Sequence, residues 1–537
     1  MNLKLFFVLV CISALVVGCK SESNKKNEET SKRPNILFAI SDDQSYLHTS
    51  FAGSNFVKTP AFDRVAREGM YFSNCYAGSP GCAPSRSALI TGRHHWQNEQ
   101  SGQHYCSWMT KHVPFVDELK DNGYAVGRTG KGVDPFQYAR NGKDSLWRKE
   151  NAAGPDYTPV TYKNKEELPA KGISTNNYFE NFKYFMQEVR EDKPFFFWYG
   201  GHEPHRVYEE GSWKKRNKDL KDVDVPEFFP DNNTIRGDLA DYAVEIEWFD
   251  LHLEKILDYL DEIGELDNTI VIVTADNGMP FPRAKASAYD YGIHVPLAIR
   301  YPDKIKKGTV KHTPVGFVDF APTILEATST IPKKMLPITG KSIWNFLQTS
   351  DEDLNRAVYT GRERHTTARY KNWGYPQRSI RQGDYLLVWN MKPERWPVGA
   401  PQRFSRKDTT VLQPMYGLNK QGKFVYGEIF RDAAPSPSRT FLIENHNSPE
   451  HEAYFKLAFD KRPEFELFNL KEDPGCIRNL SGQSKYEGIA KNLKETLVQE
   501  LKLTKDPRVV GPDHDIFDSY KRYSNVMKFP KPAYIED

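Results

Sequence analysis

Cysteine is scarce in this chain, with six among 537 residues. No C-x-x-C pair and no Cys–His pattern occurs, which leaves no signal for a structural zinc module. A surplus of one charge is lacking too: 74 Lys and Arg against 71 Asp and Glu leave a formal net charge of +3. That near balance argues against the broad basic footprint of a nucleic-acid-binding chain. The longest apolar run near the amino end covers residues 5–17 and is too short for an ordinary membrane span. No internal repeat is found.

What the chain does have is enough apolar material, 39% of its residues, for an ordinary soluble globular protein. At this length one core does not usually serve, so two packed regions are expected. Residues 34–354 alternate apolar strands with helical patterns and read as α/β; from 355 to 537 the alternation stops, and a smaller α+β domain is expected. Aromatic content of 13% is high, and aromatic rings can stack on sugar faces, although most serve cores.

Met1-Asn2-Leu3-Lys4 followed by the apolar run reads as a signal peptide. Val16-Val17-Gly18-Cys19 resembles a bacterial lipobox, which implies removal of residues 1–18 and lipid on the Cys19 thiol. The protein would then be tethered to the bacterial cell envelope, at a periplasmic or outer-membrane surface, by the polar residues 19–33. A plain secretory signal is the alternative.

The chemistry-bearing residues follow apolar strands. Pro34-Asn35-Ile36-Leu37-Phe38-Ala39-Ile40 has the pattern of a buried parallel strand and runs into Asp42 and Asp43. Adjacent carboxylates repel unless a cation neutralises them, and their hard oxygens suit Ca²⁺ or Mg²⁺; taken alone, the pair reads better as a solvated turn. Residues 269–274 form a second such strand, ending in Asp276 and Asn277. Because functional groups of open α/β sheets gather at strand carboxyl ends, all four can converge on one cation. A strand over 124–130 leads to Lys131, and the strand 194–199 leads to His202-Glu203-Pro204-His205-Arg206. Residues 71–77 read as one short strand, 236–263 as a long helix with a core-facing stripe, and 391–462 as a long ordered excursion with little periodicity.

Residues 81–92 read as a turn feeding a helix, with Cys82 at its mouth, Pro84 near its start and Gly92 suited to end it. A thiol at a helix mouth tends to a low pKa, against which stands the reading of a buried structural cysteine. Cys82, Pro84, Ser85, Arg86, Leu89, Thr91 and Gly92 fill every fixed position of C-x-P-S-R-x-x-L-x-T-G, and in this the chain resembles the formylglycine-dependent sulfatases.

The resemblance implies an alkaline-phosphatase-like mixed sheet flanked by helices, and a nucleophile made by oxidation of Cys82 to formylglycine by a separate formylglycine-generating enzyme. It implies Asp42, Asp43, Asp276 and Asn277 as calcium ligands, with Mg²⁺ less favoured. Arg86, Lys131 and Lys285 are then the cations that offset sulfate charge, with Arg283 a rival to Lys285, and His202 is the leaving-group acid. One family feature is missing: where a histidine is usual two residues after the lysine, Lys131 is followed by Gly132-Val133-Asp134.

His202 to Arg206, Asp276 to Pro282, Tyr375 to Ser379 and Phe465 to Leu470 look most like the heparan N-sulfatase branch. The expected substrate is thus a sulfated saccharide, first an N-sulfated glucosamine and second an O-sulfated glycan. A phosphate or phosphonate ester hydrolase and a lipid-anchored glycan-binding protein without turnover are the other classes. Glu363, Arg364 and His365, after the strand 357–361, are candidates for the sugar pocket, with a charged surface loop as the alternative. With Cys11, Cys19 and Cys82 accounted for, Cys75, Cys106 and Cys476 remain, which excludes a disulfide framework but allows one bridge. Oligomeric state is left open, a homodimer included.

Overall fold

Along the strand Asn35–Ser41, Ile36, Phe38 and Ile40 point into one apolar layer and Leu37 and Ala39 into another, all of them fully buried. A strand apolar on both faces has to be covered on both. In the structure, a computed structural model that describes residues 32–139 and 146–535, this strand lies third in a seven-stranded sheet. The order is Ala125–Gly130, Phe195–Gly200, Asn35–Ser41, Thr269–Ala275, Leu297–Arg300, Met70–Phe72 and Thr309–Lys311. The first four run parallel, and Leu297–Arg300 is antiparallel to Thr269–Ala275, so the sheet is mixed as expected.

Leu89 and Ile90 of the helix Cys82–Thr91, Phe115 and Leu119 of Phe115–Asp121, and Ile324 of Phe320–Ala327 cover one face. Phe62 and Val65 of Pro60–Glu68, Phe182 and Phe185 of Tyr178–Glu188, and Leu253, Ile256 and Leu260 of the long helix Asn233–Glu262 cover the other. The long helix begins where the Asn232 side chain accepts the N–H groups of Thr234 and Ile235.

Two elements differ from expectation. Residues 71–77 are split between Met70–Phe72 in the large sheet and Cys75–Tyr76 in a three-stranded sheet with His294–Val295 and Val315–Gly316. Between them the Ser73 N–H donates to the Lys311 carbonyl and Asn74 Nδ2 to the His312 carbonyl, both at 2.9 Å, and the chain changes sheets there. The excursion over 391–462 contains the helices Pro437–Glu444 and Glu452–Phe459. Each is too short to impose a readable period, but Leu442, Ile443, Phe455 and Phe459 pack with the first half of the long helix.

The carboxyl-terminal segment forms a four-stranded antiparallel sheet, Val358–Arg362, Gln377–Gln382, Tyr385–Asn390 and Phe465–Asn469. Leu493, Leu497 and Leu501 of the helix Glu487–Leu503 cover it. This sheet and its helix make up the smaller carboxyl-terminal α+β part that was expected, within the compact unit that runs from Pro34 onward. Cys75, Cys106 and Cys476 are buried and free, so the bridge left open by their number is not formed. The expected signal peptide, Cys19 and the tether up to residue 31 lie outside the described residues. Among the described residues, no helix is long and apolar enough to cross a membrane.

Candidate active site

Strand register assembles the site. Ile40 lies beside both Gly200 and Thr274, and Gly130 beside Gly200, so four parallel strands end nearly level. Lys131, His202, Asp42 and Asp276 follow those ends at one edge of the sheet. Consecutive residues of an extended strand point to opposite faces, yet Asp42 and Asp43 both face inward. Asp43 has φ 78°, a left-handed conformation that Asp tolerates better than most residues, and this turns its carboxylate alongside that of Asp42. The Asp43 N–H donates to Asp276 Oδ1 at 3.0 Å and holds the turn.

The helix Cys82–Thr91 starts after an extended Gly81 and ends at Gly92, whose φ of 64° is the left-handed cap expected. Its first residue puts Cys82 Sγ 3.2 Å from Asp42 Oδ1, 3.7 Å from Asp43 Oδ1 and 3.4 Å from Lys285 Nζ. Lys131 Nζ lies 2.5 Å from Asp42 Oδ2, and Lys285 Nζ 2.6 Å from Asp43 Oδ2. Burial, with Asp276 and Asp42 beside it, pushes the Cys82 thiol well above its ordinary pKa despite Lys131 and Lys285. Of the two readings of the thiol, the buried cysteine is the one that fits: desolvation and two carboxylates outweigh the helix terminus.

Of the two rivals for the second cation, Lys285 reaches the site. Arg283 turns away and donates to the carbonyls of Leu457, Gly475 and Cys476. Arg86 is fully buried but does not line the cavity: its Nε donates to Asp276 Oδ2 at 2.7 Å and its Nη1 to the carbonyls of Lys131 and Gly132. Its place is thus behind the strand ends, where it fixes Asp276 and the Lys131 turn. Burial works to raise Asp42, but Lys131, His205, Arg86 and Lys285 hold it well below the usual carboxylate range, while burial lifts Asp276 to about 6 against Arg86.

The residues fit a hard divalent cation. One ligand atom each from Asp42, Asp43, Asp276 and Cys82 lie within 4.8 Å of one another. Asn277 Oδ1 is buried without a hydrogen-bond partner. Three carboxylates offer hard oxygen donors of the kind Ca²⁺ and Mg²⁺ take, and Asn277 stands beside them, its Nδ2 donating to Asp43 Oδ1 at 2.8 Å.

The site opens into a cavity of about 660 Å³, lined by Cys82, Lys131, His202, His205, Lys285 and His365 among others. His205 comes closer to the reacting position than His202: its ring joins Asp42 and Cys82 in one cluster, with Nε2 3.8 Å from Asp43 Oδ2. His205 Nδ1 donates to the Arg206 carbonyl at 2.6 Å, which leaves Nε2 turned to the site. Near the helix mouth, His104 Nε2 accepts the Ala83 N–H at 3.2 Å, and its ring lies 4.5 Å from that of His365. No spacing in the sequence marked His104, because it enters from a loop distant from every motif.

The three sugar-pocket candidates separate. His365 lines the cavity, but Glu363 and Arg364 do not. The Glu363 carboxylate accepts from Arg378 Nη2 at 2.8 Å and Arg508 Nη2 at 2.7 Å, and Arg364 Nη2 donates to the Tyr520 carbonyl at 2.8 Å and lies 3.2 Å from Cys106 Sγ. Both are buried and committed to packing the carboxyl-terminal segment. Burial alone would raise Glu363, yet Arg508 and Arg378 bring it from 4.5 to about 2. A depressed carboxyl contributes stability that is present above its unfolded pKa and lost as pH falls through its folded one. Glu363→Ala removes one carboxylate from each of two buried guanidinium groups, which keep Asp506 and Asp515, and is expected to cost roughly 1.5–3 kcal/mol of stability in urea unfolding. Its deficit at neutral pH should shrink on acidification from 4.5 toward about 2. An unchanged urea midpoint would show that the cluster is not structural.

With this geometry, likeness to known proteins can be weighed. Residues 34–330 match the Sulfatase family model, and residues 284–397 match the model described as N-sulphoglucosamine sulphohydrolase, C-terminal. The chain is 25% identical to an ulvan-active sulfatase of Formosa agariphila over 98% of this chain and 85% of that protein. It is also 25% identical to N-sulphoglucosamine sulphohydrolase of Homo sapiens, over 89% of this chain and 92% of that one. A solved structure described as in complex with its substrate D-glucosamine-2-N,6-O-disulfate superposes with a TM-score of 0.57 at 20% identity, covering 90% of this chain and 99% of that one. The family match extends over more than half of the sequence, and the chain belongs to the sulfatase family.

Proposed function

We propose that this sulfatase removes the sulfate of an N-sulfated glucosamine in heparan- or heparin-type saccharides, with formylglycine at position 82 and Ca²⁺ at the carboxylate site. The observation that carries the chemistry is Cys82, set against Asp42 and Lys285 at the floor of a cavity of saccharide size. The match of residues 284–397 to the N-sulphoglucosamine sulphohydrolase model supports the substrate. An O-sulfated glycan is the second reading, supported by the ulvan-active relative.

Formylglycine, once hydrated, supplies an oxygen nucleophile for sulfur and a second hydroxyl that lets sulfate depart as the aldehyde returns. A bound divalent cation lowers the pKa of an oxygen ligand. The chain's own residues do the rest. Lys131 and Lys285 lie where charge gathers on the sulfate oxygens and offset it. Arg86 is a positioning residue, because it acts through Asp276 and the Lys131 turn.

His205, grouped with Asp42 and Cys82, is the better placed group to hand a proton to the departing nitrogen or oxygen, through Nε2, and His202 lines the same cavity. Burial lowers both, His202 to about 4. His205→Ala is expected to lower kcat roughly 100-fold or more, and His202→Ala by less. The His205→Ala deficit should shrink with an aryl sulfate, whose leaving group needs little protonation. A larger loss in His202→Ala would return the acid role to His202.

Sulfate release across defined sulfated monosaccharides tests the substrate. N-sulfated glucosamine should turn over fastest; turnover of O-sulfated sugars alone would favour the second reading, and preference for phosphate or phosphonate esters would overturn both.

A further inference from the structure

A second recess, of about 250 Å³, lies on the carboxyl-terminal part of the molecule, between residues 369–400 and residues 530–534. Its walls combine rings and cations: Trp373, Trp396 and Tyr534 with Arg369, Arg395 and Lys461, and no carboxylate lines it. The rings are not simply core, since Tyr534 is 42% exposed.

Two of the cations hold unused donors. Arg369 and Arg395 are only 4% and 6% exposed, and Nη1 of Arg369 and Nε of Arg395 are buried without hydrogen-bond partners. A buried N–H left unpaired costs free energy, which a ligand oxygen would recover. Lys461 is exposed, and its ammonium lies 5.6 Å from the Trp396 ring centre and 5.8 Å from that of Tyr534. Among the described residues that ammonium has no carboxylate partner. The recess is joined to the catalytic cavity by one side chain: Asp432 accepts from Thr366, which lines the cavity, and from Arg369, which lines the recess.

We propose that this recess binds a sulfated sugar unit, as a second saccharide site separate from the catalytic cavity. Rings that cover the apolar face of a pyranose, beside an ammonium with no carboxylate partner and two guanidinium groups that each hold one carboxylate, Asp432 at 2.7 Å and Asp518 at 2.9 Å, and keep one N–H unpaired, suit a sugar carrying a tetrahedral oxyanion. The choice of sulfate over other oxyanions rests on the sulfatase reading above. The binding itself does not need turnover.

The test is calorimetric titration of the full chain carrying Cys82→Ala with a heparin-derived sulfated disaccharide and with its desulfated counterpart. Two binding events are expected. Lys461→Ala or Tyr534→Ala should weaken one of them roughly tenfold, and that event should persist in Lys285→Ala. Both tested side chains are at the surface, so loss of fold does not obscure the result. A single event lost in Lys285→Ala and indifferent to Lys461→Ala would overturn the proposal, and so would equal binding of the desulfated sugar. Absence of sulfate release by the enzyme without substitutions, produced alongside a formylglycine-generating enzyme, would count against the sulfatase reading alone.

Discussion

Replacing Cys82 by alanine is expected to reduce sulfate release by more than about 1,000-fold while leaving the thermal midpoint within a few degrees of the parent. The size of the loss follows from the crowding around one atom. Sγ touches the Asp42 and Asp43 carboxylates and the Lys285 ammonium, and each of these is itself buried. Cys82 is the one thiol in that cluster of the described residues. Cys82→Ser gives a sharper test: its hydroxyl can attack once, but it lacks the second hydroxyl that expels sulfate. It should release sugar in a burst no larger than the enzyme present and then stop, followed by stopped-flow or quench measurements of the sugar product. Steady turnover by Cys82→Ser would show that water clears the site and that an aldehyde is not needed.

Removing the divalent cation with a strong chelator is expected to lower activity roughly 1,000-fold, and Ca²⁺ should restore it. Asp43→Asn should show a comparable loss that added Ca²⁺ does not repair. Three carboxylates offer oxygens within 4.8 Å of one another, Asn277 beside them donates through Nδ2 to Asp43 Oδ1 at 2.8 Å, and Asp43 holds a left-handed backbone that few residues adopt readily. Asparagine keeps the shape and tolerates that backbone, so the variant removes charge with little change of fold. Full activity after exhaustive chelation, with metal content checked by mass spectrometry, would remove the cation from the account.

Much of this was legible in residue order, and the failures have physical causes. Apolar runs before Asp42, Lys131, His202 and Asp276 announced four strands, and the sheet places those strands side by side. Order alone could not say that Asp42 and Asp43 would face the same way, because that depends on one backbone angle at Asp43. Nor could it choose between Lys285 and Arg283, two residues apart: the turn after Met279 sends one side chain inward and the other to three carbonyls.

The candidates Glu363, Arg364 and His365 show the same limit. The cluster was polar as a sugar pocket requires, but two of the three find their partners more than a hundred residues away, in Arg508 and Tyr520. The reading of Cys82 as an acidic thiol, set in the sequence against a buried cysteine, falls for a different reason. It counted the helix terminus, which is local, and left out burial and Asp276, which arrive from across the sheet. His104 carried no motif at all, and only the folded chain brings it to the Ala83 N–H.

The central claim is that residue 82 works as formylglycine and not as cysteine. Mass spectrometry of the peptide containing residue 82, from protein produced alongside a formylglycine-generating enzyme and showing sulfate release, tests it directly. The account predicts a peptide in which the side chain has exchanged a sulfur and two hydrogens for one oxygen, in proportion to specific activity. A fully active preparation whose peptide carries only the unmodified thiol would contradict it.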